Sequence, residues 1–182
     1  GSMADNVGYL QVTISDGLDG AIDFAVRLLE PLREVAGDRF GIQKFSFNIA
    51  PGASAGPVDV TGLPDGWRAM NGGSLGGFGR FDVSLKGNGT NRVDELTFSI
   101  AGVESDVLMD YVSLSTGHVT GDHAFFAARA YGVDVVNAGR QVSFGGTTAA
   151  SVVPIPATIW LLGSALGVIV PFGRRWLSPR TI

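Results

Sequence analysis

Two histidines, His118 and His123, are the only imidazoles in the chain. With Asp110 and Asp122 close by in sequence they bring together metal-binding side-chain types. Their spacing matches no zinc signature, and Ser115, Thr116, Gly117 and Gly121 around them are turn formers, the usual setting of an exposed histidine. Asp16, Asp19 and Asp23 are the best ligand hypothesis, since oxygen donors at close intervals suit a hard cation such as calcium in a surface loop. They do not make an EF-hand, because Gly17, Leu18 and Gly20 intervene and no closing glutamate follows; Asp134 and Asn137 have no better claim. For hydrolysis, Asp94 with Glu95 and Glu104 with Asp106 offer carboxylate pairs, but adjacent acids on a strand point to opposite faces. No Gly-x-Ser-x-Gly elbow falls between a strand and a helix, and with no cysteine the choice of nucleophile is short. Gly72 to Gly79 has the glycine count of a phosphate loop without its Lys-Ser/Thr ending or a following helix. Trp67, after Pro64-Asp65-Gly66, reads more as a loop anchor on the edge of a sheet than as a platform for stacking a sugar. The chemistry-bearing residues therefore point away from an enzyme and name no cofactor, calcium excepted.

The elements that would have to position such residues are strands. Leu10, Val12 and Ile14 alternate with polar neighbours, as do Ile22, Phe24, Val26 and Leu28 after the turn-rich stretch from Ser15 to Gly20, so the two runs predict a hairpin. Phe45-Phe47-Ile49, Phe81-Val83-Leu85 and Leu96-Phe98-Ile100 repeat the period of two and predict three more half-buried strands. Runs at Val107–Leu114, Ala124–Val135 and Gln141–Phe144 are apolar enough for strands, the second with a short helix around Phe125–Arg129 as an alternative. Glu30 to Asp38 reads as a structured loop, with room for one helical turn after Pro31. Residues 71–77 and 86–91 are loops by composition. With 27 glycines, few charges and strands at this spacing, the fold expected is all-β: an antiparallel β-sandwich of jelly-roll kind, followed by a linker and one C-terminal transmembrane helix.

A chain of 182 residues holds one domain with a sizeable core and a tail. Gly1, Ser2 and Met3 read as a cloning remnant, residues 4–145 as an extracellular sandwich, 146–153 as a flexible linker, 154–176 as an anchor and 177–182 as a cytoplasmic tail. The net charge is -4, and because Arg174, Arg175 and Arg180 lie in an acid-free tail the body carries -7. Such a body repels phosphate backbones, so nucleic acid is not an expected partner. The absence of cysteine removes disulfides and thiolate metal sites together.

The tail carries the most specific pattern. Ile155 to Phe172 is an uncharged run of eighteen residues, which as a helix would span about 27 Å, close to a bilayer's hydrocarbon thickness. Its lack of a polar stripe argues against a buried helix of the domain. Arg174 and Arg175 then follow the positive-inside pattern, leaving the body outside the cytoplasm. Gly163 and Gly167 make a small-xxx-small spacing that lets another helix approach, and Trp160 and Trp176 suit the two interfaces. Pro154 and Pro156, one residue apart, hold an extended backbone just outside the membrane, the conformation a protease needs.

Val153-Pro154-Ile155-Pro156-Ala157, the apolar run with Gly163-Ser164-Ala165-Leu166-Gly167, and Arg174-Arg175 together resemble the C-terminal sorting signal of PEP-CTERM proteins in its Val-Pro-Leu-Pro-Ala variant. Residues 40–48 and 125–129 are similar to stretches found in small proteins of that group. The resemblance implies export by a Gram-negative bacterium, retention in the inner membrane with the body in the periplasm, processing at Val153 to Ala157 by exosortase, and delivery to the cell surface or biofilm matrix, where exopolysaccharide is a further expected partner. Arg174 and Arg175 would stop transfer. Ile155 stands where the name-giving glutamate of the motif would be.

Overall fold

The computed structural model describes residues 7–103, 105–134 and 141–146. Over these residues the fold is all-β, with two antiparallel sheets and almost no helix. Among the described residues nine strands run in chain order: β1 (Leu10–Asp16), β2 (Ile22–Leu28), β3 (Ala36–Phe47), β4 (Val60–Thr61), β5 (Trp67–Asn71), β6 (Val83–Gly87), β7 (Glu95–Ile100), β8 (Phe126–Val133) and β9 (Gln141–Gly146). One sheet has the order β1-β2-β7-β4, the other β5-β6-β3-β8-β9.

The period-two pattern decides which face is buried. Ile14, Phe24 and Phe98 stand opposite one another across β1, β2 and β7, as do Val12, Val26 and Leu96. Phe45 and Phe47 play the same part in β3. Their rings meet those of the first sheet: Phe24 stacks on Phe98 at 4.7 Å and tilts against Phe47 at 5.3 Å, and Phe45 and Phe47 lie 6.1 and 6.0 Å from Phe98. These offset aromatic contacts join the two inner faces into one core. A smaller apolar cluster lies elsewhere: Leu75, Phe81 and Ala124, with Phe78 packed alongside, gather on Ala127, an outward-facing residue of β8.

The β1–β2 turn is tight because Asp19 and Gly20 take positive φ (54° and 73°), which aspartate tolerates and glycine accepts freely. Gly132 is a stricter case. Its φ is +73° and a Cβ there would sit 2.6 Å from the Phe40 nitrogen, so only glycine lets β8 press against the bulge where β3 shifts register between Ala36 and Gly41.

Several sequence expectations change. Val107–Leu114 is not a strand. The Asp110 carboxylate accepts from the Val107 amide at 2.8 Å and closes a 3-10 turn at Leu108–Tyr111, which buries Tyr111 and leaves Val107, Met109 and Leu114 exposed. Residues 67–71, which carry no apolar alternation, form β5 by pairing with β6, whereas the strand expected within Ala124–Val135 is present as Phe126–Val133, without the alternative helix. Glu30–Arg33 makes the single helical turn, and β3 starts already at Ala36. Gly146 pairs with Phe126 in β9, so the strand runs one residue into the expected linker. The hairpins β1–β2, β5–β6 and β8–β9 each stay within one sheet, a meander connection that differs from the sheet-to-sheet alternation of a jelly roll. Among the described residues no helix is long and apolar enough to cross a membrane.

Candidate functional site

Antiparallel registers turn the outward residues of each sheet into rows of neighbours, roughly 5 Å apart from strand to strand. On the four-stranded sheet one row reads Ser15, Asp23, Ser99 and Thr61, and the next Thr13, Ala25 and Thr97. The small Ala25 side chain leaves a groove of about 350 Å³ there, lined by hydroxyls with Asp23 as its only titratable group. Ser99 donates to Asp23 Oδ1 at 2.6 Å, and Arg27 in the next row donates to Gln11 Oε1 at 2.7 Å. One carboxylate with no imidazole or second acid lining the groove makes no acid–base pair.

Asp16, Asp19 and Asp23 do not converge. Asp16 continues the inward series of Ile14 at the end of β1, Asp19 sits in the turn, and Asp23 faces outward toward Ser99. Among the described residues no group of three or more His, Asp or Glu side chains is placed to hold a metal. Trp67 is 8% exposed, on β5 rather than in a loop, with its ring against Gly87, where a Cβ would come within 3.0 Å of it. An indole covered in this way offers no free face to a pyranose. No aromatic side chain is among the large exposed hydrophobics of the described residues.

His118 is exposed, and His123 lies with Nδ1 3.2 Å from Ser115 Oγ. That hydroxyl is no nucleophile in waiting: it donates to the Phe78 carbonyl and accepts from the Ala124 amide at 3.1 Å. Ser74 has the spacing of a nucleophile elbow within Gly72–Gly76, but it lies between β5 and β6, bridged to Arg80, and no helix follows. Asp94 and Glu95 are both exposed, with Glu95 opposite Arg27, and Glu104 lies outside the described residues. Asp106 has a structural task. Its Oδ2 accepts from Tyr111 at 2.9 Å and its Oδ1 from the Ser54 amide and hydroxyl at 3.1 and 3.2 Å. Burial pushes this carboxyl up, but those donors and the Ala55 amide outweigh it and hold it below its ordinary value. The Tyr111 phenol is raised, by burial first and then by its bond to Asp106.

The five-stranded sheet carries a feature that the sequence does not announce. Its central outward row reads Arg68, Lys86, Lys44 and Arg129, one cation from each of β5, β6, β3 and β8, with Ser143 of β9 at the end. Arg68 and Lys86 are exposed, Lys44 and Arg129 half-buried. Burial first, then Arg129 and Lys86, hold the Lys44 amine below its ordinary value. The one polar contact in the row beyond the strand ladders is Arg129 Nε to Ser143 Oγ at 3.4 Å. Neighbours in the row are 18, 42 and 85 positions apart in sequence and appear as a set only once the register is known.

Val153, Pro154, Ile155, Pro156 and Ala157, with Gly163, Gly167, Arg174 and Arg175, lie outside the described residues. Comparison of the chain with protein-family models, with curated proteins and with solved structures finds no match.

Proposed function

We propose that this chain is an exported bacterial cell-surface or biofilm-matrix protein with a structural or interaction role, anchored by one C-terminal helix and processed at Val153–Ala157 by exosortase. The observation that carries the reading is the order of the tail: two prolines flanking one residue, then eighteen uncharged residues, then Arg174 and Arg175. The body supports it by what its described residues do with their polar groups. Asp106, Ser115 and Tyr111 are engaged in holding loops to the core, and the groove around Ala25 holds a single carboxylate, Asp23. A β-sandwich of this kind is a module to be displayed, and a carbohydrate-binding role is the second reading, favoured by the hydroxyl-lined groove around Ala25.

The test is intact-mass analysis of the protein, expressed with a signal peptide, from membrane and medium fractions of hosts with and without exosortase. A shorter released form that appears only with the enzyme, ending near Pro154 to Ala157, is the expected result. One uncleaved membrane-bound mass in both hosts would refute processing and leave a single-span anchor.

A further inference from the structure

We propose that the outer face of the five-stranded sheet is a docking trough for a linear, sparsely charged polyanion, an acidic polysaccharide of the polyuronate class. Arg68, Lys86, Lys44 and Arg129 form an unbroken row across four neighbouring strands. Like charges directly opposite one another in a sheet destabilise it. A row of four is therefore held against the local energetic trend, and solubility does not need it, because the acidic excess of the body, -7, already supplies that.

Among the described residues the row has no counter-ion. Among the described residues no carboxylate forms an ion pair with any of the four. Of the seventeen acids in the sequence only Asp5 and Glu104 lie outside those residues, and the stretch from 135 onward that is not described contains no acid. The described body leaves that complement to another molecule.

The geometry then chooses the occupant. Strands lie about 4.8 Å apart, so the row presents charge at a regular interval of that order, over roughly 15 Å, to a chain laid across the strands. A pyranose chain advances by a comparable step per sugar, and a uronate carries one carboxylate per sugar. The β8–β9 end of the row is flanked on both sides: the Leu75–Phe78 loop packs over Ala127, with Gly76 against Ser143 and Phe78 against Gly145, and the Arg92 guanidinium lies 4.8 Å above the Tyr131 ring. A single row of charges flanked at one end fits a strand-like polymer better than a flat bilayer. Nucleic acid is disfavoured by the dense charge that the acidic body would repel, and by the absence of exposed aromatics on which bases could stack among the described residues.

The test uses the full chain held in neutral phosphatidylcholine nanodiscs. It is titrated calorimetrically with a hexamer of galacturonate, with an uncharged maltohexaose and with an oligothymidylate, and its capture of phosphatidylglycerol vesicles is measured in parallel. Binding of the galacturonate hexamer that weakens as salt is raised is expected, with no binding of the neutral sugar. The Lys86→Glu/Arg68→Glu double variant should lose about tenfold or more in affinity, since two charge-assisted contacts are reversed. Arg27→Glu/Arg33→Glu, the same charge change away from the row, should stay within about twofold. Lys86→Gln is the variant that guards against misfolding: it should weaken binding while leaving thermal stability equal or higher, because a like-charge neighbour is removed. No binding at low salt, an equal loss in the two double variants, or tighter capture of oligothymidylate or vesicles than of galacturonate would each overturn the proposal. None of these outcomes bears on processing of the tail, so the two readings fail separately.

Discussion

Replacing Tyr111 by phenylalanine removes one oxygen from the middle of the fold and leaves the ring in place. Tyr111 is fully buried, its ring edge-on to Phe24 at 5.7 Å, and its hydroxyl donates to Asp106 Oδ2 at 2.9 Å. A hydrogen bond to a charged acceptor contributes about 1.5–3 kcal/mol, and the ring contacts survive, so the expected loss is about 2 kcal/mol at neutral pH. With a urea m-value of about 2 kcal/mol/M the midpoint should fall by about 1 M with m unchanged. The pH dependence makes the argument specific. The Asp106 carboxyl is held below its ordinary 3.8 in the folded protein, so its contribution is fully present above that value and disappears as pH falls through the lower native one. Loss of the Tyr111 donor brings the native value back toward 3.8. The stability curves of the wild type and the variant should therefore converge as the solution is acidified below about pH 4, where the bond becomes one between neutral groups. Urea unfolding followed by far-UV circular dichroism, at neutral pH and near pH 3, measures this. A loss below about 0.5 kcal/mol, or one that is the same at both pH values, would refute the reasoning that a charged Asp106 anchors the 53–55 loop and the Leu108–Tyr111 turn to the core.

Phe24→Ala should be the more damaging core change, costing about 3–5 kcal/mol, because Phe24 touches Phe98 in its own sheet and Phe47 in the other; a midpoint shift as small as that of an exposed site would show that the sheets do not share a core. Gly132→Ala should cost about 1–3 kcal/mol for the left-handed backbone alone, with further loss from the contact with Phe40, and a variant as stable as wild type by thermal melting would contradict the bulge geometry.

How far the sequence reveals this fold depends on whether its signal is local. The β1–β2 hairpin was legible because both faces alternate without interruption and the turn between them is built of residues that accept positive φ. β5 was hidden because Trp67-Arg68-Ala69-Met70-Asn71 has no strict alternation and becomes a strand only by pairing with β6, a tertiary contact. Val107–Leu114 misled because β-propensity ignores the Asp110 carboxylate, which captures the Val107 amide and turns the chain. The candidate calcium residues show the same limit: Asp16, Asp19 and Asp23 are near in sequence, and strand alternation sends Asp16 and Asp23 to opposite faces. The cationic row is the reverse case, with residues distant in sequence that the register makes neighbours.

The two outer faces act as controls for each other. Both are built by the same device, polar residues meeting across antiparallel strands. On the four-stranded sheet the charges are met where they stand: Arg27 lies between Gln11 and Glu95, and Asp23 accepts from Ser99. On that face the same chain arranges local partners for its charges. On the five-stranded sheet it sets two arginines and two lysines side by side, one lysine half-buried, with only Ser143 at the end of the row as a partner. Solvation alone does not require that arrangement, since neutral residues at Lys44 or Lys86 would serve the fold as well or better. The repulsion left standing in the unbound protein is the reason to expect a partner that brings negative charge at the spacing of the strands.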